Sequence, residues 1–327
     1  MRAFTCPRCG QVVFFENSAC LRCGASLAYS PDRREIVLSN SGRLCAGAVT
    51  IGCTWLVGGG NGGVWCRSCQ LTRTVPNAGD AEATAELAAV EAAKRRLVFQ
   101  LDELGLPIGP DLRFDLLSSR FGPVTTGHHD GIITIDLAES DDAHREALRH
   151  QLGEPYRTVV GHLRHEIGHY YWPVVVDSAP ELERYRELFG DERADYAAAL
   201  DAHYESGPPD DWATRYVSAY ATMHPWEDWA ETFAHHLHIL DTLETAEAFG
   251  IRAPLDIAAG SLETASFEAI VAEWLPLSYA LNEVNRSMGR DDLYPFLLPP
   301  AVIAKLTFVH ELMARLDHGK PPDRAMV

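Results

Sequence analysis

The stretch His165-Glu166-Ile167-Gly168-His169 decides how this sequence is interpreted. Residues four apart lie on one face of a helix, so the two imidazoles can bind one metal ion. Glu166 lies beside that face, where a carboxylate can take a proton from a metal-bound water. Gly168 lets another backbone approach the helix closely. The alternative, two structural histidines on a buried helix, leaves the intervening glutamate unexplained, so the motif predicts a zinc hydrolase helix.

The composition predicts a soluble globular protein with room for two domains. The 327 residues are 46% hydrophobic and 23% charged, and no apolar run is long enough to cross a membrane. The N-terminus lacks the pattern of an export signal. A net charge of −18 disfavours nonspecific binding to nucleic acid or to anionic membranes. We therefore expect a cytoplasmic protein that does not associate with membranes.

The cysteines fall into two sets near the N-terminus. The first set contains two C-x-x-C pairs separated by ten residues, which is typical of a four-thiolate zinc site. The second set contains one such pair and two cysteines with seven residues between them. A disulfide-linked secreted module is the alternative, which closely spaced pairs without an export signal disfavour. The predicted ligands of two structural zinc ions are Cys6, Cys9, Cys20 and Cys23, and then Cys45, Cys53, Cys66 and Cys69.

A stretch of turn-forming residues, Pro76-Asn77-Ala78-Gly79-Asp80, is the predicted domain boundary. It separates a zinc-ribbon domain, residues 1–76, from a second domain, residues 80–320. Residues 1–75 contain eight arginines and three acidic residues, a net charge of +5, which two four-thiolate zinc sites would reduce to +1. Association with nucleic acid is therefore disfavoured, and a protein partner is the better expectation for the ribbons.

The hydrophobic pattern predicts an α+β fold in which a mostly helical domain with a small antiparallel sheet follows the ribbons. Strands are expected at 12–15, 35–38, 112–117 and 132–137, and a hairpin turn at 58–63. Helices are expected at 81–104, 140–151, 156–172, 180–204, 211–222, 225–241, 264–287 and 300–317.

A catalytic zinc ion needs a third protein ligand from downstream of the two histidines. Glu227 and Glu231 lie four apart on a helix that begins near Pro225, so one can bind the metal while the other holds a ligand histidine. Bulky apolar neighbours argue against a solvated acidic face. We favour Glu227 as the ligand and Glu231 as the supporting carboxylate, with Glu231, Asp191 and Glu192 remaining as alternative ligands.

Two other residues are candidates for a role near the metal. Tyr220 carries a phenol that can hydrogen-bond the oxyanion developing during peptide hydrolysis. A core tyrosine at a helix end is an equally good interpretation. His162 shares a helix face with the two ligand histidines but lies a turn away, so we expect it to support the site without binding the metal.

These motifs resemble those of the gluzincins, zincin peptidases whose third ligand is a glutamate on a later helix. The stretch from Tyr220 to Phe233 is similar to its counterpart in peptidases of the anthrax lethal factor type. There the first glutamate of the E-x-x-A-E-x-F core binds zinc, and a tyrosine seven residues earlier assists catalysis. The resemblance thus implies that Glu227 is the ligand and Tyr220 is catalytic. Taken whole, the chain resembles bacterial zinc-binding metallopeptidases with an N-terminal zinc ribbon.

The resemblance implies zinc-dependent hydrolysis of peptide bonds in a peptide or protein substrate. One catalytic zinc ion would lie on His165, His169 and Glu227, with Glu166 as general base, besides the two structural zinc ions. In zincins the strand before the metal helix usually forms the sheet edge along which substrate lies, and residues 131–137 match it. Two alternatives stay open: a zinc-dependent interaction scaffold without catalysis, and a zinc-ribbon protein associated with nucleic acid.

Overall fold

The computed structural model describes residues 1–59, 63–77, 79–141, 144–146, 157–176, 178–251 and 265–317. The chain forms two compact units. The first comprises Met1–Phe99 and Gly109–Leu148, and the second comprises Gln100–Ile108 and Arg149–Val327. Of the helix expected at 140–151, residues 144–146 are helical, and residues 142–143 and 147–151 lie outside the described residues, as do residues 60–62 of the turn expected at 58–63.

Two short antiparallel hairpins begin the first unit. β1 (Phe4–Thr5) pairs with β2 (Val12–Val13), and β3 (Leu27–Ser30) pairs with β4 (Glu35–Leu38). The strand expected at 12–15 ends early because the chain turns: the Asn17 side chain accepts a hydrogen bond from the Phe14 amide at 2.8 Å.

An aromatic cluster joins these hairpins to α1 (Ala81–Glu103). The Phe99 ring on the helix lies 4.8 Å from the Phe15 ring and 5.5 Å from the Tyr29 ring, measured between centroids. Trp55 also belongs to the cluster, with its ring 4.9 Å from that of Tyr29. Each fully buried ring stabilises the fold by roughly 2 kcal/mol. All four rings are buried, so the cluster forms an apolar core between the ribbon segment and α1.

A four-stranded sheet follows in the first unit, in the order β5-β6-β8-β7. Its strands are β5 (Thr72–Thr74), β6 (Arg113–Leu117), β7 (Gly127–His129) and β8 (Ile132–Asp136). The sheet is mixed and not antiparallel throughout, which corrects the expectation: β6 runs parallel to both β5 and β8.

The turn between β7 and β8 explains why this pair alone is antiparallel. Asp130 and Gly131 have φ angles of 47° and 79°, the left-handed values that a two-residue hairpin turn requires. The strands joined in parallel are separated by long connections, which a parallel pair needs. The sequence predicted that residues 131–137 form an edge of the sheet. That prediction is wrong for residues 132–134, because β8 pairs there with β6 on one side and with β7 on the other.

Helices make up the second unit. They are α2 (Val159–Val175), α3 (Ala179–Phe189), α4 (Tyr196–Ser206), α5 (Pro225–Ala248), α6 (Phe267–Ser287) and α7 (Pro300–Asp317). The predicted class is confirmed: an N-terminal ribbon with two four-cysteine clusters precedes a mostly helical part, with small sheets. None of the helices in the described ranges combines the length and apolar character that crossing a bilayer demands.

Two predicted helices are interrupted. The helix expected at 180–204 breaks at Gly190, whose φ of 103° ends α3, and α4 begins after Asp195, whose carboxylate caps the Ala198 amide at 3.1 Å. The helix expected at 211–222 is reduced to the 3₁₀ turns Trp212–Thr214 and Tyr220–Thr222. There the Ser218 hydroxyl accepts from the Ala221 amide and replaces a helical backbone bond.

A buried histidine pair joins α5 to α7. The Nε2 atom of His310 donates to the Ala265 carbonyl at 3.2 Å, so its Nδ1 atom must accept from His236 Nε2 at 3.1 Å. The Nδ1 atom of His236 has no hydrogen-bond partner among the described residues. Burial lowers the pKa of His236 to about 3 and also lowers the pKa of His310. Both rings are therefore neutral in the folded protein.

This pair should make the protein less stable in acid. A histidine whose pKa is lowered by folding contributes its full stability above pH ~6.5 and loses it as the pH falls toward its folded pKa, because the unfolded chain binds more protons. We expect His236→Gln, which keeps a donor to His310, to reduce the slope of unfolding free energy against pH by about 1.4 kcal/mol per pH unit between roughly pH 5.5 and 4. Urea unfolding across this range would measure it.

The matched control is His129→Gln, which changes a histidine whose side chain is 87% exposed. Loss of zinc in acid affects all variants alike, so only the difference between them is informative. Equal slopes for wild type and His236→Gln would show that the buried pair does not set the acid sensitivity.

Candidate metal centres

The first cysteine cluster has the dimensions of a four-thiolate zinc site. Its sulfurs lie 3.7 Å apart in both the Cys6–Cys23 and the Cys9–Cys20 pair. Zn–S bonds of 2.3 Å in a tetrahedron place sulfurs about 3.8 Å apart, whereas a disulfide bond is about 2.05 Å long. All eight cysteines are free thiols. The observed spacing therefore fits zinc and excludes disulfides in this structure.

The second cluster has the same dimensions despite its irregular spacing in the sequence. The Cys53 sulfur lies 3.7 Å from that of Cys66 and 3.8 Å from that of Cys69. The seven residues between Cys45 and Cys53 form a loop closed by the bond from the Cys53 amide to the Gly47 carbonyl at 3.2 Å. The Cys66 amide donates to the Cys45 sulfur at 3.2 Å, which favours a thiolate there.

A third cluster brings His165, His169 and Glu227 together in the second unit. The two Nε2 atoms lie 3.2 Å apart, and Glu227 Oε2 lies 2.9 Å from His165 Nε2 and 3.4 Å from His169 Nε2. Tetrahedral zinc with bonds of 2.0–2.1 Å would place its ligand atoms about 3.3 Å apart. The donor types and spacing therefore fit a zinc ion with three protein ligands.

Close packing of α2 against α5 produces this arrangement. A Cβ atom at Gly168 would lie only 3.1 Å from Ala230 Cα and 3.1 Å from Phe233 Cβ, so the position tolerates no side chain without movement. The Trp229 indole nitrogen donates to the Gly168 carbonyl at 2.8 Å. The expectation that Gly168 admits a neighbouring backbone is confirmed. Because both histidines are on α2 and Glu227 is in the first turn of α5, this contact sets the distance between them.

Glu231 lies behind His165 and orients its ring. The Nδ1 atom of His165 lies 2.7 Å from Glu231 Oε1, and the Ser218 hydroxyl donates to Glu231 Oε2 at 2.6 Å. Burial would raise the pKa of Glu231, but its hydrogen bond and charge interaction with His165 lower it to about 2. An ionised Glu231 accepts a hydrogen bond from Nδ1 of His165, and this contact directs Nε2 toward Glu227 and His169.

Glu166 is a buried carboxylate with one oxygen available. Only 4% of the residue is exposed, and its Oε1 atom lies 3.1 Å from His162 Nε2. Within the described ranges, its Oε2 atom is buried without a hydrogen-bond partner. Burial opposes ionisation, but the hydrogen bond and charge of His162 keep the pKa of Glu166 below its ordinary value. The group is thus a carboxylate that can accept a proton.

Two tyrosines flank the cluster. The Tyr220 ring lies 6.0 Å from the His165 ring, and burial followed by the charge of Glu227 raises the pKa of Tyr220. The Tyr196 hydroxyl donates to Glu227 Oε1 at 2.9 Å. Sequence reasoning missed Tyr196 because no spacing rule links it to a glutamate 31 residues later. The only feature of Tyr196 visible in the local sequence is its position at the start of a helix.

The carboxylates of the alternative ligands Asp191 and Glu192 form ion pairs with arginines. Asp191 is exposed and accepts from Arg193 Nε and Nη2, both at 2.8 Å. Glu192 accepts from Arg186 Nε at 2.9 Å, and a second, shorter contact joins the same two groups. Neither carboxylate is in the cluster that His165 and His169 form.

Comparison with known proteins gives the family. Three uncharacterised mycobacterial proteins, one from Mycobacterium bovis and two from strains of Mycobacterium tuberculosis, are each 51% identical to this chain over an alignment 325 positions long. Each alignment covers 96% of this chain and 95% of the relative. No solved structure matches the chain significantly. Residues 3–80 match a zinc-ribbon domain, and residues 83–312 match the family described as "putative zinc-binding metallo-peptidase". The chain belongs to this zinc-binding metallopeptidase family and carries an N-terminal zinc ribbon.

Proposed function

We propose that this protein is a gluzincin-type peptidase that hydrolyses peptide bonds with a zinc ion held by His165, His169 and Glu227. The observation that carries the proposal is the triangle of two Nε2 atoms and one carboxylate oxygen, with sides of 2.9, 3.2 and 3.4 Å. Family membership supports the same reaction class. The substrate is a peptide or a protein.

A zinc ion bound by these three ligands would acidify a water molecule to a pKa of around 7 and polarise the scissile carbonyl. Glu166 accepts the proton that the attacking water loses and then transfers it to the leaving amine. Its Oε2 atom is available for this because His162 engages only Oε1. His162 thereby holds the carboxylate in one orientation.

Tyr220 and Glu231 have complementary roles in this proposal. Because its pKa is raised, the Tyr220 hydroxyl stays protonated at neutral pH and can donate a hydrogen bond to the oxyanion of the tetrahedral intermediate. Glu231 accepts a hydrogen bond from the Nδ1–H group of His165 and so keeps the Nε2 atom free to bind the zinc ion.

The two cysteine clusters would hold structural zinc, and we propose a cytoplasmic location because thiolates persist where thiols stay reduced. A small segment of this kind gains much of its folding free energy from metal binding. The ribbons offer a surface for a protein partner, and the negative net charge of the chain disfavours nucleic acid.

The proposal requires three zinc ions per chain, of two kinds. Zinc in the thiolate clusters has four protein ligands and should resist a mild chelator, whereas the histidine–glutamate site has three and should exchange readily. Elemental analysis before and after brief chelation should give three and then two zinc ions, with peptidase activity lost at the same step. A holo-protein with only two zinc ions, both in the ribbons, would contradict the catalytic site.

The second prediction separates the ligand from its supporting carboxylate. Glu227→Ala should abolish zinc binding at the third site and activity, because it removes a ligand. Glu231→Ala should weaken zinc affinity or activity by only about 10–100-fold, the usual effect of removing a group that orients a ligand. Asp191→Ala, an exposed carboxylate paired with Arg193, is the matched control and should leave zinc content unchanged. Retention of full zinc by Glu227→Ala would refute the ligand assignment.

The third prediction tests catalysis against a scaffold role. Glu166→Gln keeps the size of the side chain but cannot accept a proton, so peptide hydrolysis should fall at least ~100-fold while zinc content stays the same. Glu205→Gln, an exposed position on α4, is the control and should behave like wild type. A broad peptide library and unfolded proteins would serve as substrates. If zinc-loaded wild type cleaves none of them, the scaffold alternative is favoured.

A further inference from the structure

The two oxygens of Glu227 face different groups. Oε2 faces the ligand imidazoles, at 2.9 Å from His165 Nε2 and 3.4 Å from His169 Nε2. Oε1 instead accepts a hydrogen bond from the Tyr196 hydroxyl at 2.9 Å. A carboxylate can bind a metal ion through one oxygen or through both, and here the second oxygen already has a partner.

We propose that Tyr196 is a positioning residue that restricts Glu227 to binding zinc through a single oxygen. Catalytic zinc sites use three protein ligands and keep a fourth position for water or substrate. A glutamate that turned to offer both oxygens would crowd that position. By engaging Oε1, the Tyr196 hydroxyl keeps the fourth position open. This inference rests on the zinc site proposed above.

Two sets of hydrogen bonds fix the start of α4, where Tyr196 lies. The Asp195 carboxylate caps α4 at the Ala198 amide. His224 then links this helix start to α5: its Nδ1 atom accepts from the Trp226 amide at 3.2 Å, and its Nε2 atom donates to the Ala194 carbonyl at 3.1 Å. One neutral tautomer satisfies both bonds. The residue before the cap of α4 is thereby tied to the first turn of α5, where Glu227 lies.

Ring contacts restrict the phenol itself. The Tyr196 ring lies 5.2 Å from the His224 ring and 6.5 Å from the Trp226 ring. Tyr196 is 37% exposed, whereas Glu227 is only 3% exposed. The hydroxyl that contacts the buried carboxylate thus belongs to a partly exposed side chain. Removal of this one atom would free Oε1 to move while the aromatic packing remained.

The test is Tyr196→Phe, which deletes the hydroxyl and keeps the ring. After mild chelation, the histidine site is loaded with Co²⁺, whose visible absorption is intense with four ligands and weaker with five. We expect the wild type to show the four-coordinate spectrum and the variant to shift toward the weaker five-coordinate one. Cobalt in a cysteine cluster would be recognised separately by sulfur-to-metal charge-transfer bands. Zinc affinity of the variant, measured by competition with a chelator, should fall about 10–100-fold.

The control is Tyr204→Phe on the same helix, because Tyr204 is 63% exposed. It should match wild type in spectrum and affinity, and thermal melting should show that both variants fold. A four-coordinate spectrum retained in Tyr196→Phe would overturn the inference while leaving the zinc site intact. A five-coordinate spectrum in wild type would overturn it without reference to any variant. A wild type that binds no cobalt outside the cysteine clusters would instead overturn the proposed function and this inference with it.

Discussion

The contact between α2 and α5 at Gly168 is the constraint on which the third cluster depends. A side chain there would require the neighbouring helix to shift, because Ala230 Cα and Phe233 Cβ lie 3.1 Å from where a Cβ would be. At this separation the histidines of one helix and the glutamates of the other meet within hydrogen-bond distance. A wider gap would leave the same residues with no common centre. The close approach of the two helices therefore brings the three side chains within reach of one metal ion.

The charge of this cluster also calls for a cation. Glu166 and Glu227 are buried carboxylates, and Glu231 adds a third negative charge. Burial lowers the pKa of His165, but its hydrogen bonds to Glu227 and Glu231 raise that pKa well above its ordinary value, so a proton on His165 offsets only part of this charge. Burying unpaired anions is expensive, so a protein normally compensates them with a cation or a metal ion. Each carboxylate accepts a hydrogen bond at one oxygen from a different side chain. The donor is His162 for Glu166, Tyr196 for Glu227 and Ser218 for Glu231. A divalent ion would supply the remaining compensation at the atoms that face one another.

The sequence predicted well those features that depend on local pattern. Apolar periodicity predicted the start of α7 and the bounds of α1 to within one residue, and the spacing of the cysteines predicted both cysteine clusters. Sequence reasoning failed for features that depend on contacts between residues far apart in the chain. The parallel pairing of β6 with its neighbours depends on long connections, and the 3₁₀ turns near Tyr220 depend on a serine shared with Glu231. Tyr196 was missed for the same reason: its partner lies on another helix.

The two kinds of cluster differ in how many protein ligands they offer a metal ion. Four thiolates would complete the coordination of a tetrahedral zinc ion, so the ribbon sites would only stabilise the fold of the segment that carries them. Two imidazoles and one carboxylate oxygen would leave a tetrahedral ion incomplete. Glu166, the neighbour of His165, has one oxygen for which the described part of the chain provides no hydrogen-bond partner. Folding alone gives no reason to leave that position open or to bury a proton acceptor beside it. The incomplete site is thus the one suited to chemistry, and the complete sites are suited to structure.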